Sequence, residues 1–244
     1  MNPWKLLCLA LLLAPLSVHA APELNVGELY DYLPDGKSTL LKRVRNGGDS
    51  TAFVKVAVVE LVYDKNGVAQ EVDLEGLPLE QRGVVASPAR LIVPARGMQT
   101  VRLLYRGKRD QERYFRLRFI PVLPEQNDGF AVSAQEAKDY RESLTAGVNL
   151  LAGYGTLLFV RPNDTQFDTP VREENGRVRV TNNGNATVVL DHLRLCAADG
   201  RDCSNATKQH LLPGRTRTLD QQPGKHYRFE LQEGDRHQEM VFNS

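Results

Sequence analysis

The feature that most constrains this 244-residue chain is a succession of short segments whose apolar and polar residues alternate. TLLKRVRN, TAFVKVAVVELVYD, ARLIVPA, MQTVRLLYRG and RYFRLRFIPV follow one another through the first half, each alternating or rich in β-branched residues. A period of two puts successive side chains on opposite faces of a pleated strand, so these segments read as half-buried strands. Turn residues separate them at Pro34-Asp35-Gly36, Asn46-Gly47-Gly48, Lys65-Asn66-Gly67 and Arg106-Gly107. The pattern predicts an antiparallel sandwich.

A polar joint, NDTQFDTP, follows Arg161-Pro162, and behind it come GRVRVTNNG, ATVVLDHLRLCA, GRTRTL, KHYRFELQEG and QEMVFN. That block has the size and strand density of a second small sandwich. The fold class expected is therefore all-β, with one sandwich over residues 21–162 and another over 163–244. No internal sequence repeat is evident. The single helical pattern is SAQEAKDYRESL, Ser133 to Leu144, where Ser133 and Glu136 stand at capping-box spacing.

Residues 1–20 carry Lys5, an apolar run from Leu6 to Leu13 and a small-residue end at Ala20, the pattern of a secretory signal peptide. No later run approaches the roughly 18 to 20 apolar residues of a membrane span, so stable membrane insertion after cleavage is not expected. Of 31 basic and 30 acidic residues, Lys5 lies in the signal, and the remaining balance offers no general attraction to nucleic acid. Beyond the signal the cysteines are Cys196 and Cys203, with Asp199-Gly200 between them at turn spacing. Export makes a disulfide the natural outcome. A zinc site with His192 and His210 would need gaps of three, six and six residues, which match no tight ligand pairing. The chain has no Gly-x-Ser-x-Gly elbow, no HExxH and no phosphate loop, and its histidines are scattered. Neither an enzyme nor a metal or organic cofactor is expected.

One stretch resists the simple strand reading. TAGVNLLAGYGTLLFVRP, Thr145 to Pro162, is longer than a core strand of about 4 to 8 residues. Gly147, Gly153 and Gly155 argue against a continuing helix, each costing about 1 kcal/mol relative to alanine. About 25 residues, VLPEQNDGFAVSAQEAKDYRESLTAG, separate it from RYFRLRFIP. A connection of that length is unusual within a compact domain unless it has a function.

The ordered set ARLIVPARGMQTVRLLYRG, QERYFRLRFIPVLP and LLFVRP lies behind an export signal and ahead of a second sandwich. It resembles the periplasmic chaperones of the chaperone-usher pilus pathway, in a divergent or alternate-class form. The resemblance implies two immunoglobulin-like sandwiches set at an angle with a cleft between them, a periplasmic location, and pilin subunits and the outer-membrane usher as partners. In that family the last long strand of the first domain is lent to a pilin that lacks one strand, which is donor-strand complementation. Counted back from Arg161-Pro162, the lent row is Val148, Leu150 and Ala152, with Tyr154 in the same register. Familiar members hold the pilin's terminal carboxylate with an Arg on the first strand and a Lys on the donor strand. Here Leu157 takes the Lys position, and LNVGELYDYL has neither Arg nor Lys. The resemblance then leaves Arg116 and Arg118, on the strand expected beside the donor, as candidate anchors. A secreted, non-enzymatic binding or adhesin sandwich is the alternative reading; it would have the same fold without a strand to lend.

Overall fold

The computed structural model describes residues 21–125, 128–145 and 151–243, so the signal-peptide reading of 1–20 lies outside the described residues. In chain order the first half forms β1 (Leu24–Asn25), β2 (Tyr30–Leu33), β3 (Thr39–Asn46), β4 (Ala52–Tyr63), β5 (Ala69–Asp73), β6 (Val84–Ser87), β7 (Arg90–Val93), β8 (Met98–Tyr105) and β9 (Arg113–Pro121). Helix α1 (Ala134–Thr145) and β10 (Tyr154–Val160) complete it. The second half forms β11 (Val171–Glu174), β12 (Arg177–Thr181), β13 (Val188–Ala197), β14 (Thr207–Leu211), β15 (Thr216–Asp220), β16 (Lys225–Glu233) and β17 (Arg236–Asn243). These elements build two immunoglobulin-like sandwiches.

In the first sandwich a sheet ordered β1-β3-β8-β6 faces one ordered β2-β10-β9-β4-β5, with β7 also paired to β4. The inward rows of both sheets meet in one core that includes Val44, Val54, Val56, Val101, Leu103, Phe115, Leu117, Phe119, Leu158 and Val160. Leu158 and Val160 thus belong to the chain's own core, as the alternation predicts. In the second sandwich β11-β12-β15 faces β14-β13-β16-β17 around Val178, Val180, Leu190, Phe229 and Leu231. Cys196 and Cys203 are joined by a disulfide. His210 packs against the first sandwich, stacked on Phe159.

Two local arrangements depart from the sequence reading. LNVGELYDYL is not one strand: Leu24–Asn25 pairs antiparallel with β3, while Tyr30–Leu33 crosses to the opposite sheet and pairs parallel with β10. Gly27, at φ 71° in the left-handed region that glycine tolerates, makes the switch between sheets. The buried Lys42 of β3 then holds the second part, its ammonium pairing with Asp31 at 2.6 Å and donating to the carbonyl of Glu28. Desolvation raises the Asp31 carboxyl pKa, and the bond from Lys42 opposes that rise.

The second departure is a repeated corner, which the strand pattern alone does not announce. Asn46 ends β3, and its Oδ1 accepts from the Gly48 N–H while its Nδ2 donates to Ser50 O, at 3.0 and 2.7 Å. Asn182, just past β12, bonds Gly184 N–H and Ala186 O in the same way, at 3.0 and 2.9 Å. Both asparagines are buried, at 1% and 0% exposure. In each sandwich an incoming chain passes over the glycine: a Cβ on Gly48 would stand 2.2 Å from Ala21 O, and one on Gly184 2.4 Å from Gln166 O. The two sandwiches therefore use one corner, built on a shared R-V-x-N-x-G-x-x-T at residues 43–51 and 179–187. Truncating either asparagine strands several buried backbone groups, each costing about 1–3 kcal/mol. Asn46→Ala and Asn182→Ala should each destabilise the protein by about 2–4 kcal/mol in urea unfolding; a loss below about 1 kcal/mol would show that the corner closes without the side chain.

Candidate functional site

The site begins where β10 runs out of neighbours. On one side β10 pairs antiparallel with β9 from Val160↔Arg113 to Tyr154↔Phe119. The next residues of β9 cannot extend the ladder: Pro121 has no N–H, and the Val122 N–H is already given to Phe53 O at 2.9 Å. On the other side β2 reaches only from Leu33 to Tyr30, opposite Leu157, with one further bond from Leu157 N to Leu29 O at 2.8 Å. From Tyr154 to Thr156, β10 therefore has a free edge along the β2 side. Upstream, Leu151 to Gly153 belong to no strand, and Ala152 is exposed. Tyr154 points along the inward row but is 36% exposed, because the sandwich ends there. Val148 and Leu150 lie outside the described residues. An unpaired edge with exposed alternate side chains is a template for another strand.

The outer face of the same sheet forms the surroundings of that edge. Arg116 and Arg118 of β9 lie opposite Leu157 and Gly155 of β10. Both guanidiniums bond the carboxylate of Glu71 on β5, one to each oxygen. The hydrogen bond from Arg118, joined by the charge of both arginines, holds the Glu71 carboxyl below its usual range. Two cations thus share one anion at a half-exposed position, leaving a local excess of positive charge.

Below the arginines the outer face meets the second sandwich. Tyr63, Tyr114, Phe159 and Tyr32 follow one another across it, with centroid separations of 5.0, 5.7 and 5.2 Å. His210 of β14 closes the row, stacked on Phe159 at 4.9 Å and tilted against Tyr30 at 4.3 Å. The Tyr32 hydroxyl and His210 Nε2 are hydrogen-bonded at 2.7 Å. Burial drives the imidazole pKa down to about 4, with the charge of Lys208 acting in the same sense. The ring is therefore neutral at neutral pH. Beside it the buried Glu112 takes bonds from Thr187 N–H and from the Tyr114 hydroxyl, both at 2.8 Å, and from the Thr187 hydroxyl. Arg215 reaches back to the turn after β4, donating to Asp64 O and Lys65 O at 2.7 Å each. Stacked rings, a shared carboxylate and an arginine clip fix the two sandwiches across the cleft.

No family model matches the chain. Two curated proteins named "Probable fimbrial chaperone EcpB" align with most of it. The one from Klebsiella pneumoniae subsp. pneumoniae is 29% identical over 216 residues, covering 87% of this chain and 86% of the relative. The one from Escherichia coli O157:H7 is 28% identical over 215 residues, covering 87% and 86%. The chain is a homologue of the fimbrial chaperones. Solved structures share the fold: the class 5 fimbriae chaperone CfaA gives a TM-score of 0.57 at 19% identity, covering 91% of this chain and all of that one. A chain of the CsuC-CsuE chaperone-tip adhesion subunit complex of Acinetobacter baumannii gives 0.54 at 13% identity, covering 91% and 98%.

The structure places Arg116 and Arg118 on the outer face of β9 opposite Leu157 and Gly155, Tyr154 on the inward row at the start of β10 with the exposed Ala152 just before it, and the Cys196–Cys203 bridge in the other sandwich. Sequence reading missed the junction residues Glu112, Tyr32, His210 and Thr187. A lone histidine or threonine has no periodic signal; only the approach of two sandwiches gives them partners. Acidification tests this junction. Native His210 resists protonation down to about pH 4, whereas the unfolded chain binds a proton near pH 6.5, so stability is lost as pH falls through that interval. Glu112, with its carboxyl pKa raised mainly by burial, works in the opposite sense. The comparison to make is therefore wild type against His210→Gln: between pH 7 and pH 5 the urea midpoint of wild type should fall further than that of the variant. Equal falls would remove His210 from the pH response.

Proposed function

We propose that the chain is a periplasmic chaperone that folds and caps pilus subunits by donor-strand complementation and delivers them to the outer-membrane usher. In this reading residues 1–20 direct export, 21–162 form the domain that lends the strand, and 163–244 form the second wall of the cleft. The observation that carries it is the end of the β10 ladder, where backbone hydrogen-bonding groups are free on the β2 side from Tyr154 to Thr156. A subunit lacking a strand exposes an apolar trough and an unpaired edge, and a strand from the chaperone fills both at once. The fimbrial chaperone homologues support the same role. Release then needs no nucleotide, cofactor or catalysis, because an incoming subunit's own extension replaces the lent strand.

The row Val148, Leu150, Ala152 and Tyr154 is the segment lent. A charge at Leu150 would be buried in the subunit's core, at a cost of several kcal/mol. Leu150→Glu should abolish recovery of a co-purified complex when pilin subunits are co-expressed, while the unfolding midpoint of the isolated chaperone stays unchanged. Unfolding of the free variant by more than about 3 kcal/mol would instead make Leu150 an ordinary core residue.

Arg116 and Arg118 hold the subunit's terminal carboxylate in place of the Arg and Lys of familiar members. Glu71 already occupies both guanidiniums, so the incoming carboxylate shares the pair with it or displaces it. At these half-exposed positions the loss falls between the scales of exposed and buried charge pairs, about 1–2 kcal/mol for each truncation. Arg116→Ala and Arg118→Ala should each weaken subunit binding by that amount in titrations, and Glu71→Gln should strengthen it. Unchanged affinity in all three would place the anchor elsewhere.

A further inference from the structure

Helix α1 interrupts the connection between β9 and β10 and is docked, not free. Ser133 caps its start: the Glu136 N–H donates to Ser133 Oγ at 3.2 Å, and the Ser133 N–H donates back to Glu136 Oε2 at 2.7 Å. This is the reciprocal box expected from the sequence. Its packing partner is Phe53, at the start of β4. Phe53 stands on the outer row of that strand with Lys55, Ala57, Val59, Leu61 and Tyr63, and its inward neighbours Ala52 and Val54 belong to the core. Phe53 is buried nonetheless, because Phe130 meets it edge-on at 5.4 Å and Tyr140 of α1 at 4.8 Å. Ala137, one turn before Tyr140, is buried as well.

This clamp puts α1 on the same face of the sheet as Arg116 and Arg118, at the end opposite the second sandwich. The outer face is thereby bounded twice. Between the bounds lie Lys55, Ile120, Arg118, Arg116 and Leu157, among them the exposed apolar side chain of Ile120. The same clamp seats the helix that ends at Thr145, ahead of the chain leading to β10.

We infer that the Phe53–Phe130–Tyr140 clamp is a positioning device for subunit capture: it makes α1 the upper wall of the subunit's seat and sets where the lent segment begins. The inference rests on the donor-strand reading above. Ordering a connection before binding reduces the entropy that binding must offset, so a docked helix favours capture without itself needing to enter the subunit's groove. A helix released from Phe53 would leave roughly thirty residues between β9 and β10 to be ordered at the moment of binding.

The test uses the full mature chain and, as probe, a pilin subunit deleted of its N-terminal extension. Tyr140→Ala and Phe130→Ala should lower complex recovery at least tenfold, with the urea midpoint of the free protein unchanged, and should open Lys138 and Arg141 to trypsin. Tyr140→Phe, which keeps the edge contact, should restore capture and protease resistance. Should Phe130→Ala lower the midpoint, Tyr140→Ala and its rescue carry the test, because Tyr140 lies on a surface helix outside the core cluster. Helix release with wild-type capture would overturn the inference. Leu150→Glu is run in parallel: if it too captures normally, the seat is misplaced and the wall falls with it, whereas loss in Leu150→Glu with normal capture in Tyr140→Ala rejects the clamp alone.

Discussion

The structure depends on a ladder that stops. β10 lies between two neighbours over Leu157 to Val160, has one neighbour over Tyr154 to Thr156, and upstream of Tyr154 has none among the described residues. Each loss has a chemical cause. Pro121 offers no donor, Val122 has committed its N–H to Phe53, and the first strand has left for the other sheet through Gly27. Backbone N–H and C=O groups left without partners demand others, from water or from a second chain. The function proposed above follows from that demand.

Such an edge is a hazard unless its surroundings are rigid, and most of the remaining structure supplies rigidity. The sandwich core holds β10 by Leu158 and Val160. The buried pair Lys42–Asp31 pins β2 beside it, which fixes the point at which the parallel neighbour ends. A buried ion pair of this kind contributes little net stability against apolar replacements, but it penalises any arrangement in which one partner is left alone. Its effect here is register, at the place where register decides how much of the edge stays open.

The second sandwich is fixed to the first by polar and aromatic groups, not by a continuous apolar core. Glu112 is bonded by Thr187 and Tyr114, and His210 is stacked in a row of aromatic rings while remaining neutral. Directional contacts of this type fix an orientation, which a purely apolar contact would fix less sharply. On the outer face beside that junction a half-exposed pair of arginines shares the single carboxylate of Glu71.

The sequence by itself determined the strands, the two-sandwich division, the capped helix and the disulfide, because alternation, turn residues, a capping box and two cysteines are local signals. It also marked Thr145 to Pro162 as anomalous, since a strand too long and too rich in glycine conflicts with both helix and core-strand patterns. Only the tertiary structure decided where that strand loses its partners, since the answer lies in Pro121, Val122, Phe53 and Leu29, four residues on three other segments. It alone paired Arg116 and Arg118 with Glu71, split the first strand between two sheets, and revealed that Asn46 and Asn182 build the same corner. Those facts rest on which groups meet between segments distant in the chain, and a pattern of period two along one segment has no term for what lies on the far side of the sheet.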